Sequence, residues 1–424
     1  MMREFPVEAL RRQFPALRAA GRCVFFDNAA GAQVPDRVIE AVRRHLIEHN
    51  VQRGGRYPRS LAVDSMIARA RSHVAALVNA RRPEEIAFGM NATSFIRTVS
   101  LAIGQMLDER DEIIVTDLDH EANVATWLVL ERMGAKVRWW RMRQDGRLHP
   151  DDLRPVLGPR TRLVACTLTS NALGSIVDVR TAANLAHAAG AEIFIDAVHY
   201  GPHGIIDVQA LDCDYLVCSG YKIFSPHMGF LWGRHEALVR LPSFREDFIP
   251  DEPPGKLEAG TFIYENVAGM AAAVDYLAEL GRTLTGSSGP AVAGSLREDC
   301  RTAMGAIREY EQGLSRELLR VLRDCGAQIH GVCEPGQMSE RVPTFCFNFP
   351  GIAPAVVTRA AADAGIAVRD GHMYCPRLMR RLGLLPESGA VRVSLAHYNT
   401  VEEVRELGSV LSRLRPAAAP ASTD

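Results

Sequence analysis

The chain has 424 residues, of which 47% are apolar and 23% charged, and its 49 basic and 50 acidic side chains give a formal net charge of −1. This balance disfavours the broad basic surface with which proteins bind nucleic acid. The nine cysteines are scattered without a C-x-x-C pair, as expected of a reduced, cytoplasmic protein. No apolar signal core opens the chain, and no apolar run approaches the ~20 residues of a membrane span. We therefore expect neither nucleic acid nor a membrane as a partner.

The first 80 residues are predicted to be largely helical and to pack with a smaller domain or at a dimer contact. From residue 84 onward, short runs rich in Ile, Val and Leu alternate with amphipathic segments. The predicted strands are 84–89, 111–119, 161–169, 191–198, 214–220 and 229–233, and the helices among them include 94–108, 122–134 and 180–190. Runs that are apolar on both faces are typical of buried parallel strands. The alternation predicts an α/β fold, with a mostly parallel sheet covered by helices on both faces.

The pattern changes after residues 283–295, a low-complexity stretch with Gly and Ser that we predict to be a surface loop. The elements expected beyond it are a helix at about 297–324, a strand at 342–349, a helix at 354–365, a strand at 389–398 and a final helix that a Thr400–Glu403 capping box begins. They indicate a smaller α+β domain over residues 296–414, which residues 1–30 join. Residues 31–285 would form the large domain, and the tail 415–424 is expected to be disordered.

Polar residues follow the predicted strands. Because functional groups gather at the carboxyl ends of strands in open α/β sheets, these residues are expected to share one edge. They are Asn91, Ala92 and Thr93, then His120, Asn171, Asp196, His199, Ser219, Tyr221 and Lys222. Together they supply a lysine, a carboxylate, two imidazoles and hydroxyl groups suited to phosphate.

These groups match the needs of a pyridine cofactor that carries a phosphate. A lysine after a buried strand is desolvated, so the pKa of Lys222 should fall and its amine should act as a nucleophile. Asp196 can keep a pyridine nitrogen protonated, and His120 can stack on a flat ring. The helix that opens at Asn91–Thr93 offers backbone N–H groups and a hydroxyl to a phosphate.

Each residue also has an ordinary structural interpretation. A strand-end lysine such as Lys222 is often a solvated surface residue, and an aspartate such as Asp196 often only caps a helix or turn. Asn91 and Thr93 are candidate N-caps. His199 and His203 are four residues apart, but Gly201 and Pro202 between them disfavour helical spacing, so we predict no metal site. The joint occurrence of these residues in this order favours the functional interpretation.

Seven segments resemble the aminotransferase class V family, in particular its cysteine desulfurase and selenocysteine lyase branch. The resemblance covers about residues 23–410, nearly the whole chain. The segments are FFDNAAGAQVP (25–35), DLDHEAN (117–123), TLTSNALGSIVD (167–178), IDAVHYGPH (195–203), SGYKIFSPHMGFLWG (219–233), GTFIYE (260–265) and VRVSLAHYNT (391–400). The resemblance implies a pyridoxal 5′-phosphate (PLP)-dependent transferase of fold type I, with a seven-stranded type of sheet.

The resemblance also assigns roles around the cofactor. Lys222 would form the Schiff base, Asp196 would bind the pyridine nitrogen, and His199 would bind the ring hydroxyl. His120 would cover the ring. Further cofactor contacts are expected from Asn91, Ala92, Thr93, Asn171, Ser219 and Tyr221.

The same resemblance extends to the substrate and the quaternary structure. Arg392 would hold the substrate carboxylate, with Asn28 and Asn171 as further substrate contacts. Thr261 would reach a phosphate in the other subunit, which implies a homodimer with composite sites.

Two departures from the family pattern lie beside the Schiff-base lysine. Tyr221 replaces the histidine that the family places before that lysine, and Ser225-Pro226 replaces the usual Gly-Pro. The third departure is in a loop where the related enzymes read R-x-G-H-H-C and residues 369–376 read R-D-G-H-M-Y-C-P.

The third departure places Tyr374 where the sulfur-accepting cysteine would stand, with Cys375 one position later. In an extended loop a shift of one residue turns a side chain to the opposite side, and Pro376 restricts any adjustment. We therefore expect Tyr374 to point into the site, to orient substrate or transfer a proton, and Cys375 to turn away. Arg369, His372 and Arg377 flank the thiol and favour a lowered pKa of Cys375.

These residues favour a PLP enzyme that acts on a small amino acid. The leading prediction is a desulfurase-like enzyme that cleaves a C–S bond through an external aldimine; any sulfur acceptor is unidentified. The first alternative is other PLP chemistry that needs no acceptor cysteine, namely β-elimination, epimerisation or decarboxylation. The second is a non-catalytic cofactor-binding or sulfur-transfer protein, against which the intact Lys222, Asp196 and Arg392 argue.

Overall fold

The computed structural model describes residues 4–19, 23–286, 295–384 and 388–414. The strands are β1 Val24–Phe25, β2 Ile86–Gly89, β3 Glu112–Thr116, β4 Lys136–Trp140, β5 Thr161–Thr167, β6 Glu192–Asp196, β7 Tyr215–Ser219, β8 Gly229–Gly233, β9 Gln328–His330, β10 Thr344–Asn348, β11 Ile366–Ala367, β12 Arg369–Gly371 and β13 Ala390–Ser394.

The helices are α1 Val7–Arg11, α2 Pro15–Arg18, α3 Asp36–Glu48, α4 Pro58–Val78, α5 Ala92–Gln105, α6 Ala122–Leu128, α7 Pro150–Leu153, α8 Val179–Ala188, α9 Val208–Leu211, α10 His235–Arg240, α11 Tyr264–Thr285, α12 Ser295–Asp324, α13 Pro354–Asp363, α14 Pro376–Arg381 and α15 Val401–Ser412. Residues 283–285 of the predicted surface loop belong to α11 instead, and 287–294 lie outside the described residues. The predicted disordered tail, 415–424, lies outside them too.

A seven-stranded sheet forms the centre of the fold, in the order β2-β8-β7-β6-β5-β3-β4. The neighbouring pairs β7–β6, β6–β5, β5–β3 and β3–β4 are parallel, whereas β8 runs antiparallel to both β7 and β2. This mainly parallel sheet confirms the predicted α/β, fold type I architecture. All six strands predicted before residue 235 are present; β8 has the predicted bounds and the other five are shorter.

Successive residues of the central strands enter two different cores. On β6, Ile193 and Ile195 join a core with α4, α8 and α11, whereas Phe194 joins one with α5, α6 and α10. Because both faces are covered, these strands read as continuous apolar runs rather than alternating ones. Edge strand β4 was not predicted, because Lys136 and Arg138 are exposed on it and interrupt the apolar pattern.

The C-terminal part contains a four-stranded antiparallel sheet in the order β12-β13-β10-β9. The predicted succession of helix, strand, helix, strand and helix is confirmed by α12, β10, α13, β13 and α15. The capping box is present as well: Thr400 Oγ1 accepts from Glu403 N at 3.2 Å, and Glu403 Oε2 accepts from Thr400 N at 3.1 Å. The short strands β9, β11 and β12 were not predicted, since two or three residues carry too little pattern.

The amino-terminal strand pairs with this C-terminal part, because β1 lies parallel to β11. Val24 and Phe26 share a core with residues of α12, β10 and β13. The division of the chain into a large and a small domain stays a prediction. No described helix is both long and apolar enough to cross a bilayer.

Candidate active site

A cavity of about 440 Å³ lies at the edge of the central sheet where β3, β5, β6 and β7 end. The residues singled out in the sequence that line it are Ala92, Thr93, His120, Asn171, Asp196, His199, Ser219, Tyr221 and Lys222. Chemistry rather than size distinguishes this cavity. A larger one, of about 870 Å³ beside Phe5 and Tyr310, has no lysine, histidine or arginine among the described residues that line it.

Lys222 ends a short 3₁₀ turn, Gly220–Lys222, that follows β7 directly. The residue is only 5% exposed. Burial lowers the pKa of its amine to about 8; the charge of Arg392 acts in the same direction and Asp196 opposes it. A substantial fraction of the amine is therefore neutral near physiological pH, which a nucleophilic lysine requires.

Asp196 is the last residue of β6, and parallel pairing with β5 and β7 places it between Thr167 and Val217. Its Oδ1 accepts a hydrogen bond of 2.9 Å from Val198 N. Burial raises the pKa of this carboxyl, whereas Lys222 lowers it. A cationic ligand in the cavity would provide the charge partner that a buried carboxylate needs.

His120 follows β3 and lies beside the start of α6. Its Nδ1 accepts from Ala122 N at 3.1 Å. Burial lowers the pKa of the imidazole to about 4, with Lys222 and Arg392 adding to the shift. The ring is therefore neutral and lines the cavity, and a neutral flat ring suits stacking on an aromatic ligand.

Helix α5 begins at the cavity with Ala92 and Thr93, so its free N–H groups can face an anion there. Ser219 Oγ accepts from Ala92 N at 3.3 Å. Asn91 is different, because its Oδ1 caps the helix by accepting from Ser94 N and the residue is exposed. The N-cap interpretation is confirmed, and a cofactor contact of Asn91 stays a prediction.

Asn171 and Arg392 meet at one side of the cavity. Arg392 is 1% exposed; its Nη1 donates to Asn171 O and its Nη2 to Asp27 Oδ1, each at 3.0 Å. The Nε of Arg392 is buried and has no partner among the described residues. The buried ion pair with Asp27 gives Arg392 a structural role. Arg392 bonds the cavity residue Asn171 without lining the cavity itself, and its Nε is a buried donor without a partner among the described residues.

The loop that carries Tyr374 and Cys375 corrects the sequence expectation. Cys375 is 1% exposed and turns inward, where its Sγ donates to Asn171 Oδ1 at 2.9 Å. Tyr374 is 55% exposed, with its ring centroid 5.7 Å from that of His120. Burial raises the pKa of Cys375 to about 12, so the expected lowering by flanking cations is also wrong.

The cause of this correction is the backbone. Met373 and Tyr374 both have positive φ, 51° and 59°, so the loop is not extended and the alternation of sides does not apply. Asn171 Nδ2 donates to Met373 O, and Glu121 N to Tyr374 O, each at 2.8 Å. These two bonds hold the turn that aims Cys375 inward.

Asn28 and Thr261 lie outside the cavity lining, as do Asn91, Tyr374, Cys375 and Arg392. Asn28 Nδ2 donates to Ser394 O and Asn399 Oδ1, at 2.8 and 3.1 Å, and its Oδ1 accepts from Tyr398. Its side-chain amide is bonded within the fold, and the expected substrate contact of Asn28 stays a prediction. Thr261 is exposed, and its Oγ1 accepts from Gln52 Nε2 at 2.7 Å.

The cavity contains residues that the sequence analysis missed: Ile96, Ala122, Thr167, Thr169 and Val198. Thr167 and Thr169 end a predicted strand, so the strand-end rule that selected Asn171 could also have found them. Ile96 and Ala122 lie on helices, where their apolar or small side chains give no chemical signal.

The lining fits PLP. Thr169 Oγ1 and His199 Nδ1 are buried without a partner among the described residues, as expected where a polar ligand would supply one. Lys222 would hold the aldehyde carbon, Asp196 the pyridine nitrogen and His199 the ring hydroxyl. The phosphate would lie at the start of α5, beside Ser219. His203 instead pairs with Glu311, with 2.8 Å between Nδ1 and Oε2.

The pKa of Lys222 gives a testable pH dependence. Because only the neutral amine attacks an aldehyde, the rate at which the apo protein captures PLP should rise with pH and level off above about 8. Arg392→Met removes a nearby positive charge, so the midpoint should move to higher pH, whereas Arg392→Lys keeps the charge and should leave it near 8. Stopped-flow absorbance measures both. A midpoint near 10.5, the ordinary lysine value, would contradict the buried amine.

The comparisons with known proteins agree with this site. The sequence profile described as aminotransferase class-V matches residues 24–289 and 295–407. The aminotransferase-like protein FGM3 of Gibberella zeae is 34% identical over 95% of this chain and 97% of its own length. A cysteine desulfurase of Synechococcus elongatus is 33% identical over 97% of this chain, which spans 64% of that relative.

The solved structures include the apo cysteine desulfurase of Thermococcus onnurineus NA1, which matches with a TM-score of 0.85 and 26% identity. The match covers 97% of this chain and 98% of that one. Members of this family and their desulfurase branch depend on PLP, and the cavity described above has the groups that PLP needs. The chain belongs to the aminotransferase class V family and is a PLP-dependent, cysteine desulfurase-like enzyme.

Proposed function

We propose that this enzyme cleaves the C–S bond of a small amino acid, with cysteine as the first candidate. The observation that carries the proposal is the burial of the Lys222 amine and the Asp196 carboxylate in one cavity, at the ends of neighbouring strands. PLP, when bound, supplies an electron sink for bonds at the α- and β-carbons of an amino acid.

The residues of the chain divide the remaining tasks. Lys222, whose pKa is about 8, holds the cofactor and can move a proton at the substrate α-carbon near neutral pH. Asp196 keeps the pyridine nitrogen protonated. His120 covers one face of the ring, and the open Nε of Arg392 receives the substrate carboxylate.

Cys375 determines what happens to the sulfur. Its Sγ lies 2.9 Å from Oδ1 of the cavity residue Asn171. In desulfuration, the C–S bond of cysteine breaks, the sulfur becomes bonded to Cys375 as a persulfide, and alanine leaves; a separate acceptor then takes the sulfur. The thiol must first lose its proton, because the thiolate is the nucleophile.

A second candidate is β-elimination, which a specific observation favours. Burial raises the pKa of Cys375 to about 12, so the thiol is protonated in this conformation. Elimination needs no acceptor thiol: cysteine and water yield pyruvate, ammonia and hydrogen sulfide. Tyr374, beside His120, then remains the candidate to orient the substrate or transfer a proton.

The products from a panel of amino acids, identified by mass spectrometry, test the function. We expect alanine from cysteine, and Cys375→Ser should lower its formation at least about a hundredfold because the acceptor is lost. Cys333→Ser changes a half-buried cysteine outside the cavity and serves as the control. Pyruvate and sulfide in place of alanine, unchanged in Cys375→Ser but impaired in Tyr374→Phe, would favour β-elimination.

The assignment of Lys222 as the cofactor-binding lysine can be tested by labelling. The chain contains three lysines, Lys136, Lys222 and Lys256. Lys136 is exposed on edge strand β4, and the amine of Lys256 bonds Val239 O and Asp251. Borohydride reduction of the loaded protein, followed by peptide mapping, should place the pyridoxyl group on Lys222. Label on Lys136 or Lys256 would remove the basis of the proposed site.

We also propose a cytoplasmic homodimer with composite sites, in which Thr261 completes the phosphate site of the partner. Two features support an interface. Thr261 is exposed in a single chain, and α3 carries three exposed apolar side chains, Ile39, Leu46 and Ile47. Apolar groups clustered at a surface are typical of contacts between subunits.

Complementation tests this arrangement. If sites are composite, a heterodimer of Lys222→Ala and Thr261→Val chains has one site with both defects and one intact site. Random mixing should then restore about one quarter of the native activity, since half of the dimers carry one good site of two. Activity that stays at the average of the two variants, or full activity in a monomer on sedimentation, would show that each chain forms its own site.

A further inference from the structure

The imidazole of His199 is held at one nitrogen and open at the other. It lines the cavity and is 2% exposed, with its Nε2 3.0 Å from Thr344 Oγ1. Its Nδ1 is buried without a partner among the described residues. Burial lowers the pKa of His199 well below its ordinary value, and Lys222, His203 and Arg392 add to the shift. A neutral imidazole has one donor nitrogen and one acceptor nitrogen, and the bond to Thr344 occupies Nε2, which leaves Nδ1 for a ligand.

Thr344 comes from the C-terminal half of the chain, at the start of β10, and is fully buried. Its backbone is fixed against the turn that carries Asn171. Arg341 donates from one guanidinium to both Leu173 O and Thr344 O, and Val342 N donates to Gly174 O at 3.0 Å. The threonine hydroxyl is therefore held at a defined point behind His199.

His203 packs against the His199 ring: the two ring planes are nearly perpendicular, at 77°, and the centroids are 5.3 Å apart. His203 is itself fixed, because its Nδ1 pairs with Glu311 at 2.8 Å. With one face packed and Nε2 bonded, the imidazole can keep a single orientation, and Nδ1 is the atom left for a ligand.

We propose that Thr344 is a positioning residue of the cofactor site, whose hydroxyl fixes the orientation of His199 so that Nδ1 meets the ring hydroxyl of PLP. This inference rests on the proposed placement of His199 against the cofactor ring. A segment of the C-terminal half of the chain thereby orients the imidazole of His199 in the site at the central sheet.

The test measures the Kd of the apo protein for PLP by absorbance titration. Thr344→Val keeps the shape but loses the hydroxyl, so the Kd should rise about tenfold, as for the loss of one buried hydrogen bond. Thr344→Ser keeps the hydroxyl and should stay within about twofold of the native value. Thr161→Val is the matched control: it removes a fully buried strand hydroxyl, bonded to Gly158 N at 2.9 Å, at the opposite edge of the sheet.

The effect of Thr344→Val in a His199→Ala variant shows whether Thr344 acts by positioning His199 or by packing in the core. If Thr344 acts through His199, Thr344→Val should change the Kd less than about twofold in that background, because coupled residues are non-additive. Equal rises in both backgrounds, or the same rise with Thr161→Val, would overturn the inference. Should Thr344→Val fail to fold, Thr344→Ser and Thr344→Ala give the same comparison, since they differ by the hydroxyl alone.

The outcome is distinguishable from a failure of the proposed site. If the native chain binds no PLP and borohydride leaves Lys222 unlabelled, the placement of the cofactor is wrong and the inference falls with it. If the native chain binds PLP at Lys222 but Thr344→Val and Thr344→Ser bind equally well, only the role of Thr344 is wrong.

Discussion

The site depends on the parallel register of β5, β6 and β7. In that register Thr167, Asp196 and Val217 lie side by side, so the carboxylate at the end of β6 stands next to the turn that carries Lys222. Six strands of the central sheet run in one direction and β8 runs against them, which brings the ends of β3, β5, β6 and β7 to one edge. A shift of one residue in β6 would move Asp196 to the other face of the sheet.

Buried charges around the site need partners of opposite charge, and a chain of ion pairs provides them. Arg392 is buried against Asp27, and Asp27 in turn accepts from Arg369 at 2.7 Å. Burial lowers the pKa of His120, His199 and Lys222, and the charge of Arg392 adds to each shift, so both imidazoles stay neutral. Two buried atoms of the cavity lining, Thr169 Oγ1 and His199 Nδ1, have no partner among the described residues, so a ligand in the cavity can satisfy them.

Much of this could be predicted from the sequence, because strong periodicity and strand-end chemistry are local signals. The buried strands, the helices between them and the capping box at Thr400 were predicted from pattern alone. Edge strand β4 was missed, since its exposed charges hide the alternation. The sequence left two roles open for Asn91, because N-caps and phosphate-binding residues share the same side chains, and the structure shows that it caps α5. The scarcity of lysine, with Lys222 one of three, is a further signal that pattern analysis did not use.

What the sequence could not predict is long-range geometry, and the Cys375 loop shows why. Its direction depends on two left-handed residues, Met373 and Tyr374, which cost roughly 1–3 kcal/mol each in strain. That strain persists because Asn171 and Glu121, about 200 and 250 positions away along the chain, bind the two carbonyls.

The sequence analysis assumed that side chains alternate along an extended loop and did not include those partners. It therefore predicted that the thiol of Cys375 turns away from the site. The same contacts also connect the loop to the residues of the cavity. The side chain of Asn171 bonds the loop at Met373 and Cys375, and the backbone carbonyl of Asn171 accepts from Arg392. Asn171 therefore joins the Cys375 loop to Arg392, and the local pattern of the loop sequence carries no trace of either contact.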